Sequence, residues 1–197
     1  KNGVKASVLS FVPLNDNCEI SQLTLTNGSS EDKKLSVFSY VEWCLWNADD
    51  DMKNFQRNLS TGEVEVQDST IYHKTEYRER RNHYAIYSVN TKIDGFDTSR
   101  DAFLGAYRGA DSPEAVENGK CTNSMASGWS PIASHQINVD LAAGETKTFI
   151  FVLGYIENPE DEKWESYGVI NKTRAKEMLA KYQTDAQVEE AFAALQA

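Results

Sequence analysis

The feature that most constrains the fold is the run L-S-V-F-S-Y-V-E-W-C-L-W at residues 35–46. Successive side chains of a β-strand point to opposite faces of a sheet, so this run has two faces. The first face is mostly apolar and consists of Leu35, Val37, Ser39, Val41, Trp43 and Leu45. The second face is aromatic and includes Phe38, Tyr40 and Trp46. Two apolar faces predict a strand that is buried on both sides, as between two sheets.

Shorter runs of the same kind recur along most of the chain. Alternation at 4–12 and 18–26, separated by the turn sequence N-D-N, predicts the first two strands. Further strands are predicted at 63–67, 70–76, 83–90, 133–141 and 146–156. The intervening segment 94–131 is irregular and rich in Gly, Asp and Ser, so we expect functional loops or a cover over another surface. The chain is therefore predicted to be mainly β, as an antiparallel β-sandwich.

The pattern changes after N-P-E-D at 158–161. The run I-N-K-T-R-A-K-E-M-L-A-K-Y predicts one helix, and T-D-A-Q-V-E-E-A-F-A-A-L-Q-A predicts a second with Thr184 or Asp185 as its N-cap. The apolar stripe of the second helix repeats at i, i+4 and i+7 and consists of Val188, Phe192 and Leu195. We expect a β-sandwich domain over 1–157 followed by a helical linker over 158–197.

Charge and composition exclude several classes of partner. The chain has 197 residues and a formal net charge of −10, so no basic stripe is available for nucleic acid. The one basic cluster, Arg78, Arg80 and Arg81, is diluted by Glu76 and Glu79, and it favours a solvated turn first and an anion contact second. No signal peptide and no apolar run of membrane length occurs, so a membrane partner is not expected.

The cysteines indicate the redox compartment, and the chain ends indicate whether the sequence is part of a longer polypeptide. Cys18, Cys44 and Cys121 are odd in number and form no C-x-x-C, so neither a disulfide framework nor a zinc site is expected. Three unpaired thiols suit a reducing compartment, which predicts a cytoplasmic location. The chain begins with K-N-G, reaches a strand pattern by Val4 and ends inside a helical pattern. We therefore expect a fragment of a larger polypeptide.

No catalytic constellation emerges from the residues alone. His73, His83 and His135 sit in strand-like contexts without a partner at i+2 or i+4, which favours structural or surface histidines over metal ligands. No G-x-S-x-G, P-loop or G-x-G-x-x-G motif occurs. Glycoside chemistry needs one carboxyl group with a raised pKa, whereas the acids at 49–51 lie in a polar loop and are expected to be ionised. We assign no catalytic residue.

The polar stretch that follows Trp43 has the side chains of a sugar site. An indole ring covers the apolar C–H face of a sugar, and planar polar groups bind its hydroxyls. The polar side chains here are Asn47, Asp49, Asp50, Asp51, Asn54, Gln56 and Arg57. For any one of them a structural or solubilising role is commoner. The loop as a whole favours binding, because long polar loops on β scaffolds often carry ligand contacts.

Several long strings resemble the cellobiose phosphorylase family. They are L-T-L-T-N, K-L-S-V-F-S-Y-V-E-W-C-L-W-N-A, N-F-Q-R-N-L-S-T-G-E-V-E-V, I-Y-H-K-T-E-Y-R-E-R-R-N-H, I-D-G-F-D-T-S-R-D, F-L-G and A-S-G-W-S-P-I-A-S-H-Q. The similarity extends over nearly the whole chain, up to G-V-I-N-K-T-R-A-K. The strings are long and non-repetitive, so the resemblance is specific.

The resemblance implies an inverting phosphorolysis of cellobiose to glucose 1-phosphate and glucose, with inorganic phosphate as co-substrate and no cofactor. It implies an N-terminal β-sandwich similar to the galactose mutarotase fold, a helical linker, an (α/α)6 barrel and a small C-terminal β domain. The barrel of such enzymes carries the general acid and most of the phosphate site. This chain corresponds to an incomplete supersandwich and the start of the linker, so we expect it to be inactive alone.

The resemblance also implies a role for the polar loop and for a homodimer. In this family a sandwich loop of one subunit covers the active site of its partner, and N-F-Q-R-N resembles that loop. By this match Gln56 and Arg57 approach the acceptor sugar, while Asn47 and Asn54 shape the entrance. Gln56 offers a donor and an acceptor, and Arg57 offers a rigid fork of donors.

Two other functions fit the same residues. One is a free-standing carbohydrate-binding β-sandwich without catalysis. The other is a mutarotase-like enzyme, which needs an acid–base pair that converges in a cleft. The nearest candidates for that pair are His73 with Glu76 and His83 with Glu79.

Overall fold

A computed structural model of the protein describes residues 2–43, 62–74, 81–128 and 131–196, and all structural statements concern these residues. Two antiparallel sheets face each other, and two C-terminal helices pack on the outer face of the larger sheet. The predicted mainly β architecture, a sandwich followed by helices, is confirmed. No helix in these residues is long and apolar enough to cross a membrane.

The larger sheet contains the strands β1 (Val4–Phe11), β2 (Cys18–Asn27), β5 (Gly62–Gln67), β6 (Thr70–His73), β7 (His83–Val89), β9 (Ser127–Gly128) and β11 (Thr146–Glu157). Their spatial order is β1-β2-β11-β7-β6-β5-β9. The smaller sheet is built on β10 (Pro131–Leu141), which pairs with β3 (Lys33–Phe38), β4 (Val41–Glu42) and β8 (Gly95–Ser99). A separate hairpin consists of β12 (Trp164–Ser166) and β13 (Val169–Ile170).

The helices are short. They are α1 (Arg100–Leu104), α2 (Glu114–Glu117), α3 (Thr173–Leu179), which a 3-10 turn at Ala180–Tyr182 continues, and α4 (Asp185–Ala194). Of the two predicted N-caps of α4, Thr184 and Asp185, the structure has Thr184. Thr184 Oγ1 accepts a hydrogen bond from Gln187 N at 3.3 Å, and Gln187 Oε1 accepts one from Thr184 N at 3.0 Å. The predicted stripe is wrong at its end, because Leu195 lies beyond the helix and is 38% exposed.

Two apolar layers hold the sandwich together. The inner layer fills the space between the sheets and includes Leu25, Ile71, Tyr87, Val139 and Phe151. The outer layer lies between the larger sheet and helices α3 and α4 and includes Ile20, Tyr84, Val152, Met178 and Val188. Strands β2, β7 and β11 supply residues to both layers in alternation, which explains why they are apolar on both faces.

The predicted strand at 35–46 is interrupted at residues 39–40, although its two parts pair with β10 in the same register. β3 ends at Phe38 and β4 covers only Val41–Glu42, with the sequence beyond Trp43 outside the described residues. Between the two strands, the side chain of Ser39 replaces a backbone partner, because its Oγ accepts a hydrogen bond from His135 N at 2.9 Å. Side-chain hydrogen bonds of this kind compete with the strand ladder.

The prediction that this run is buried on both sides, as between two sheets, is only partly right, because most of its residues are half-buried and its second face does not meet a sheet. Leu35, Val37, Val41 and Trp43 belong to the inner layer. Phe38 and Tyr40 instead pack on Phe103 of α1, with ring centroids 6.5 and 5.1 Å apart. The run therefore lies between a sheet and a helical cover.

The segment 94–131 provides that cover. This was one of the two roles predicted for it, the other being functional loops. It is more regular than predicted, because it contains strand β8 as well as α1 and α2. Asp97 of β8 is 0% exposed, and its carboxylate accepts hydrogen bonds from Thr122 and Ser124. The amide and hydroxyl of each partner take part, at 2.6–3.2 Å. One buried carboxylate thus folds the loop at 121–126 onto the sheet.

Candidate functional site

Three segments that carry the quoted motifs attach to the same end of the sandwich. They are 44–61, 75–80 and 129–130, and their own structure lies outside the described residues. The first two segments begin next to each other, because Trp43 stacks on His73 with ring centroids 5.3 Å apart. The first and third are also neighbours, because Gly62 pairs with Gly128 between β5 and β9. The pattern of strand pairing thus brings the motifs to one place.

The sequence-predicted site residues are among those that the structure does not describe. Asn47, Asn54, Gln56 and Arg57 all belong to the segment 44–61, as do Trp46, Cys44 and the acids at 49–51. Their proposed roles stay predictions. What the structure fixes is the position of the two residues between which this segment runs, Trp43 and Gly62.

Trp43 and His73 form a buried stacked pair at the base of these segments. Trp43 is 7% exposed, His73 is 4% exposed, and their ring planes are 26° apart. Burial, with a smaller contribution from the charge of Lys163, lowers the pKa of His73 to about 3. The imidazole is therefore neutral at physiological pH and has a packing role. This environment argues against His73 and Glu76 as an acid–base pair.

A groove of about 640 Å³ opens beside Trp43, at the ends of β2, β4 and β11. Its wall combines rings, carboxylates and an amide. The polar and aromatic members are Asp16, Asn17, Glu19, Glu42, Trp43 and Tyr155. Apolar contributions come from Val12, Ala85 and Leu153. The groove therefore offers an apolar surface and hydrogen-bonding groups side by side.

Glu42 is held on one side of this groove. Its Oε1 accepts hydrogen bonds from Tyr40 Oη at 2.6 Å and from Arg100 Nε at 3.0 Å. Burial first, and then the hydrogen bond and charge of Glu42, raise the pKa of Tyr40, so the phenol stays protonated and donates. The hydrogen bond to Glu42 likewise raises the pKa of Arg100. The charge of Glu42 is thus compensated and its side chain is oriented.

Asp16 is held in a similar way on the opposite side. Lys181 Nζ donates to its two carboxylate oxygens at 2.8 and 3.0 Å, and Tyr182 Oη donates at 2.6 Å. Burial opposes the ionisation of Asp16, but these hydrogen bonds and the Lys181 charge hold its pKa below the ordinary value. Each of the two carboxylates is therefore bound by one cation and one phenol.

Tyr155 is fixed by a histidine. Its hydroxyl shares a hydrogen bond with His83 Nδ1 at 2.5 Å, and the two rings meet edge to face at 5.2 Å. The other ring nitrogen of His83 lies 3.6 Å from Glu157 Oε1. The predicted acid–base partner of His83 was Glu79, which lies outside the described residues. In the described structure His83 instead orients the ring of Tyr155.

The other histidine and the described cysteines do not provide a reactive group. Burial lowers the pKa of His135 to about 3, and its Nδ1 lies 3.1 Å from Ser39 Oγ. Burial, together with a neighbouring aspartate charge, raises the pKa of both Cys18 and Cys121 to about 12. Thiols of this kind are protonated and weakly nucleophilic. The described residues contain no cluster of three or more His, Cys, Asp or Glu side chains suited to a metal ion.

Two lysines near the β12–β13 hairpin, the buried Lys172 and the half-buried Lys74, pair with acids of β5. Lys172 pairs with Glu65, which also accepts a hydrogen bond from Ile170 N at 3.2 Å. Lys74 Nζ lies 3.8 Å from Glu63 and 3.9 Å from Glu65. These ion pairs attach the hairpin to the edge of the larger sheet. They leave little reason to assign the lysines to a phosphate site.

Sequence reasoning did not identify Glu19, Asn17 and Tyr155 as groove residues. Glu19 alternates with the buried Cys18 and Ile20, so its pattern alone indicates an ordinary solvent-facing position. Only the pairing of Glu19 with Leu153 between β2 and β11 brings it close to Tyr155. The sequence signal that could have indicated the groove is the turn N-D-N, which places amides and a carboxylate directly before a strand.

Comparison with known proteins gives a consistent result. Residues 1–185 match the family model described as "Glycosyl hydrolase 94, supersandwich domain". The N,N'-diacetylchitobiose phosphorylase of Vibrio proteolyticus is 29% identical over 197 residues, which cover 100% of this chain and 23% of the relative. Its counterpart from Vibrio furnissii is 28% identical over 196 residues, which cover 98% and 22%.

A third relative has a different named substrate. The solabiose phosphorylase of Paenibacillus borealis is 27% identical over 165 residues, which cover 80% of this chain and 21% of the relative. The chain thus spans about a fifth of the length of these curated relatives.

Proposed function

Because this chain belongs to the glycosyl hydrolase 94 family, as its supersandwich domain, we propose that it is the N-terminal sandwich of an inverting disaccharide phosphorylase. The proposed substrates of the parent enzyme are cellobiose and inorganic phosphate, and no other cofactor is needed. The phosphorylase names of the relatives support the reaction class. The choice of cellobiose rests on the long strings shared with that family, such as V-E-W-C-L-W-N-A.

In the proposed reaction a phosphate oxygen attacks the anomeric carbon of the donor glucose from the face opposite the glycosidic bond. That bond breaks, the leaving glucose takes a proton from a general acid, and glucose 1-phosphate forms with inversion. The acid and the phosphate site would belong to an (α/α)6 barrel that follows this sandwich. The contribution of this chain is to bind the acceptor glucose and to complete a cytoplasmic homodimer.

The proposed acceptor contacts belong to the segment 44–61 of one subunit, which would cover the barrel of its partner. Gln56 and Arg57 bind hydroxyls of the acceptor, and Asn47 and Asn54 shape the entrance. One observation carries this proposal: the residues that flank the three motif-bearing segments converge at one end of the sandwich, through the Trp43–His73 stack and the Gly62–Gly128 pair. Motifs separated in sequence would then act at one interface.

The reaction class and the substrate are tested by measuring release of glucose 1-phosphate by the parent enzyme. We expect phosphate-dependent turnover of cellobiose, at least about tenfold faster than turnover of N,N'-diacetylchitobiose. The 197-residue chain alone is expected to give no release above a buffer blank, because the proposed general acid and phosphate site belong to the barrel that follows it. Preference for diacetylchitobiose would change the substrate only, whereas no phosphate-dependent cleavage of either disaccharide would overturn the proposal.

Replacing Arg57 by alanine in the parent enzyme is expected to lower kcat/KM for cellobiose about ten- to hundredfold. A hydrogen bond to a charged group is worth roughly 1.5–3 kcal/mol, and its loss from the transition state lowers kcat/KM by that factor. The melting temperature should change little, because Arg57 belongs to a polar loop.

The matched control is Arg108→Ala. Arg108 pairs with Glu117 on the segment that covers the smaller sheet, and an exposed pair of this kind contributes little to stability. Kinetics of the Arg57 variant that match those of the wild type would mean that Arg57 pairs only with nearby acids, and would remove it from the acceptor site.

A carbohydrate-binding role without catalysis is the second candidate, and the mixed aromatic and polar groove beside Trp43 favours it. The reading frame of the parent separates the two. Continuation beyond residue 197 into a helical domain with an aspartate in an apolar pocket supports the enzyme, and a stop codon supports the binding module.

A further inference from the structure

We propose that the groove beside Trp43 is itself a saccharide-binding site, which takes a neutral mono- or disaccharide without changing it chemically. The proposal rests on described residues of this chain alone, and it does not depend on the phosphorylase assignment. It assigns a ligand to Glu19, Glu42 and Tyr155, none of which belongs to the proposed acceptor loop.

The size and surface of the groove suit a sugar. Its volume of about 640 Å³ falls within the roughly 300–1,000 Å³ of small-molecule sites. Tyr155 is half-buried, and His83 fixes its ring by a 2.5 Å hydrogen bond. A ring held in one orientation provides a flat apolar surface for the C–H face of a pyranose at little entropic cost. Asn17 and Glu19 are exposed in the same wall and offer an amide and a carboxylate to its hydroxyls.

The charges of the groove select a neutral ligand over an ion. Asp16 is already bound by Lys181 and Tyr182, and Glu42 by Arg100 and Tyr40. Carboxylates whose charge is compensated in this way attract a metal cation weakly. An anion such as a sugar phosphate is also disfavoured, because Glu19 has no cation partner among the described residues and leaves the wall with a net negative charge. Sugar hydroxyls, in contrast, donate readily to oriented carboxylate oxygens.

The same wall also contains a buried hydrogen-bond donor, the indole N–H of Trp43, without an acceptor among the described residues. Trp43 Nε1 makes no hydrogen bond to any of these residues, although a buried indole N–H usually has an acceptor. A small movement of the indole on ligand binding would let this donor reach a hydroxyl oxygen.

The test is a calorimetric titration of the 197-residue chain with four probes: cellobiose, glucose, glucose 1-phosphate and calcium chloride. We expect saturable one-site binding of cellobiose or glucose, and at least about tenfold weaker binding of glucose 1-phosphate because of the acidic wall. Saturable binding of calcium with none of either sugar would overturn the proposal, and so would the absence of binding by every probe.

Two variants locate the site. Glu19→Gln and Tyr155→Ala are each expected to weaken sugar binding about tenfold, because the first removes a charged acceptor of the groove and the second removes the ring that covers the sugar. Glu190→Gln, on the exposed face of α4, is the matched control and should bind as the wild type does. Glu19 is exposed, so its variant should remain folded, which melting curves would verify.

Wild-type affinity in both groove variants would place the sugar elsewhere and contradict the assignment. Failure of this test would leave phosphate-dependent cleavage by the parent enzyme unaffected. Failure of the phosphorolysis assay would in turn leave the titration valid, so the two proposals fail separately.

Discussion

Lowering the pH from 6 to 5 is expected to reduce the free energy of unfolding by about 2.5 kcal/mol, because two histidines are buried in the neutral form. Burial lowers the pKa of both His73 and His135 to about 3, against about 6.5 in an unfolded chain. Between these values the unfolded state binds two protons that the folded state does not, so stability falls as the pH falls.

Each ring contributes up to about 1.4 kcal/mol per pH unit in this range. The loss begins near pH 6.5, continues toward pH 3 and amounts to about 5 kcal/mol at pH 4.5, a large fraction of the stability of a typical domain. The interval from pH 6 to 5 isolates the histidines, because most carboxylates are still ionised there. The sign is that of a depressed histidine pKa, and the loss becomes negligible above about pH 7.5.

Urea unfolding at several pH values measures the slope of the free energy of unfolding against pH. His135→Gln removes one of the two titrating groups, so it should halve the slope whatever it does to stability at pH 7. The exposed Lys34→Gln variant is the control and should leave the slope unchanged, because lysine does not titrate in this range. A slope near zero for the wild type would mean that both rings accept protons within the folded protein.

The strands were predictable because their signal is local. Alternation with period two reports the two sides of a strand directly, and it located β1, β2, β7 and β11 to within a few residues. The break between β3 and β4 was not predictable, because it depends on Ser39 meeting His135 from a distant strand. No pattern in the run itself records that partner.

Strand β8 shows the same limit. It begins with a glycine and its next residues, F-D-T-S, read as a loop. The glycine is needed because a Cβ on Gly95 would approach Gln136 Oε1 to 2.9 Å and Cys121 Cβ to 3.3 Å. The buried aspartate is tolerated because Thr122 and Ser124 supply its donors. Both reasons are tertiary, so local propensity misassigned the segment.

The candidate site was predictable only in part. Residue chemistry and the resemblance indicated the polar loop that follows Trp43, and the structure brings the ends of that loop beside two other motif-bearing segments. The groove was not predictable, because Glu19 and Tyr155 are ordinary positions of two strands until those strands pair. Sites that form across a sheet depend on register, which composition does not record.

Replacing Asp97 by alanine is expected to lower the free energy of unfolding by about 3 kcal/mol or more. Its carboxylate is 0% exposed and accepts hydrogen bonds from the amides and hydroxyls of Thr122 and Ser124. Alanine would leave these donors without their acceptor, and each unsatisfied buried group costs roughly 1–3 kcal/mol. Asp97→Asn should be less damaging, because an amide oxygen in the place of Oδ1 can still accept from Thr122 and Ser124, and only the Oδ2 contact with Thr122 N is lost.

Chemical unfolding of the two variants measures the loss, and Asp140→Ala is the control. Asp140 is exposed on the neighbouring strand β10 and pairs only at the surface with Lys34, so its removal should cost under about 1 kcal/mol. Stability of Asp97→Ala equal to that of the control would show that solvent satisfies the freed donors.

The Asp97 variants also connect stability to the candidate site. The loop that Asp97 holds leads directly into β9, and β9 pairs with β5 at Gly62 and Glu63, where the segment 44–61 rejoins the sheet. Loss of the carboxylate should therefore increase hydrogen exchange in β9 and at the start of β5 more than in β1 and β2, which lie at the far edge of the larger sheet. Uniform exchange over all strands would mean that Asp97 stabilises the domain as a whole. Exchange concentrated at β9 and β5 would mean that Asp97 sets the position from which the proposed acceptor loop extends. Asp97 would do so although it lies far from that loop in the sequence.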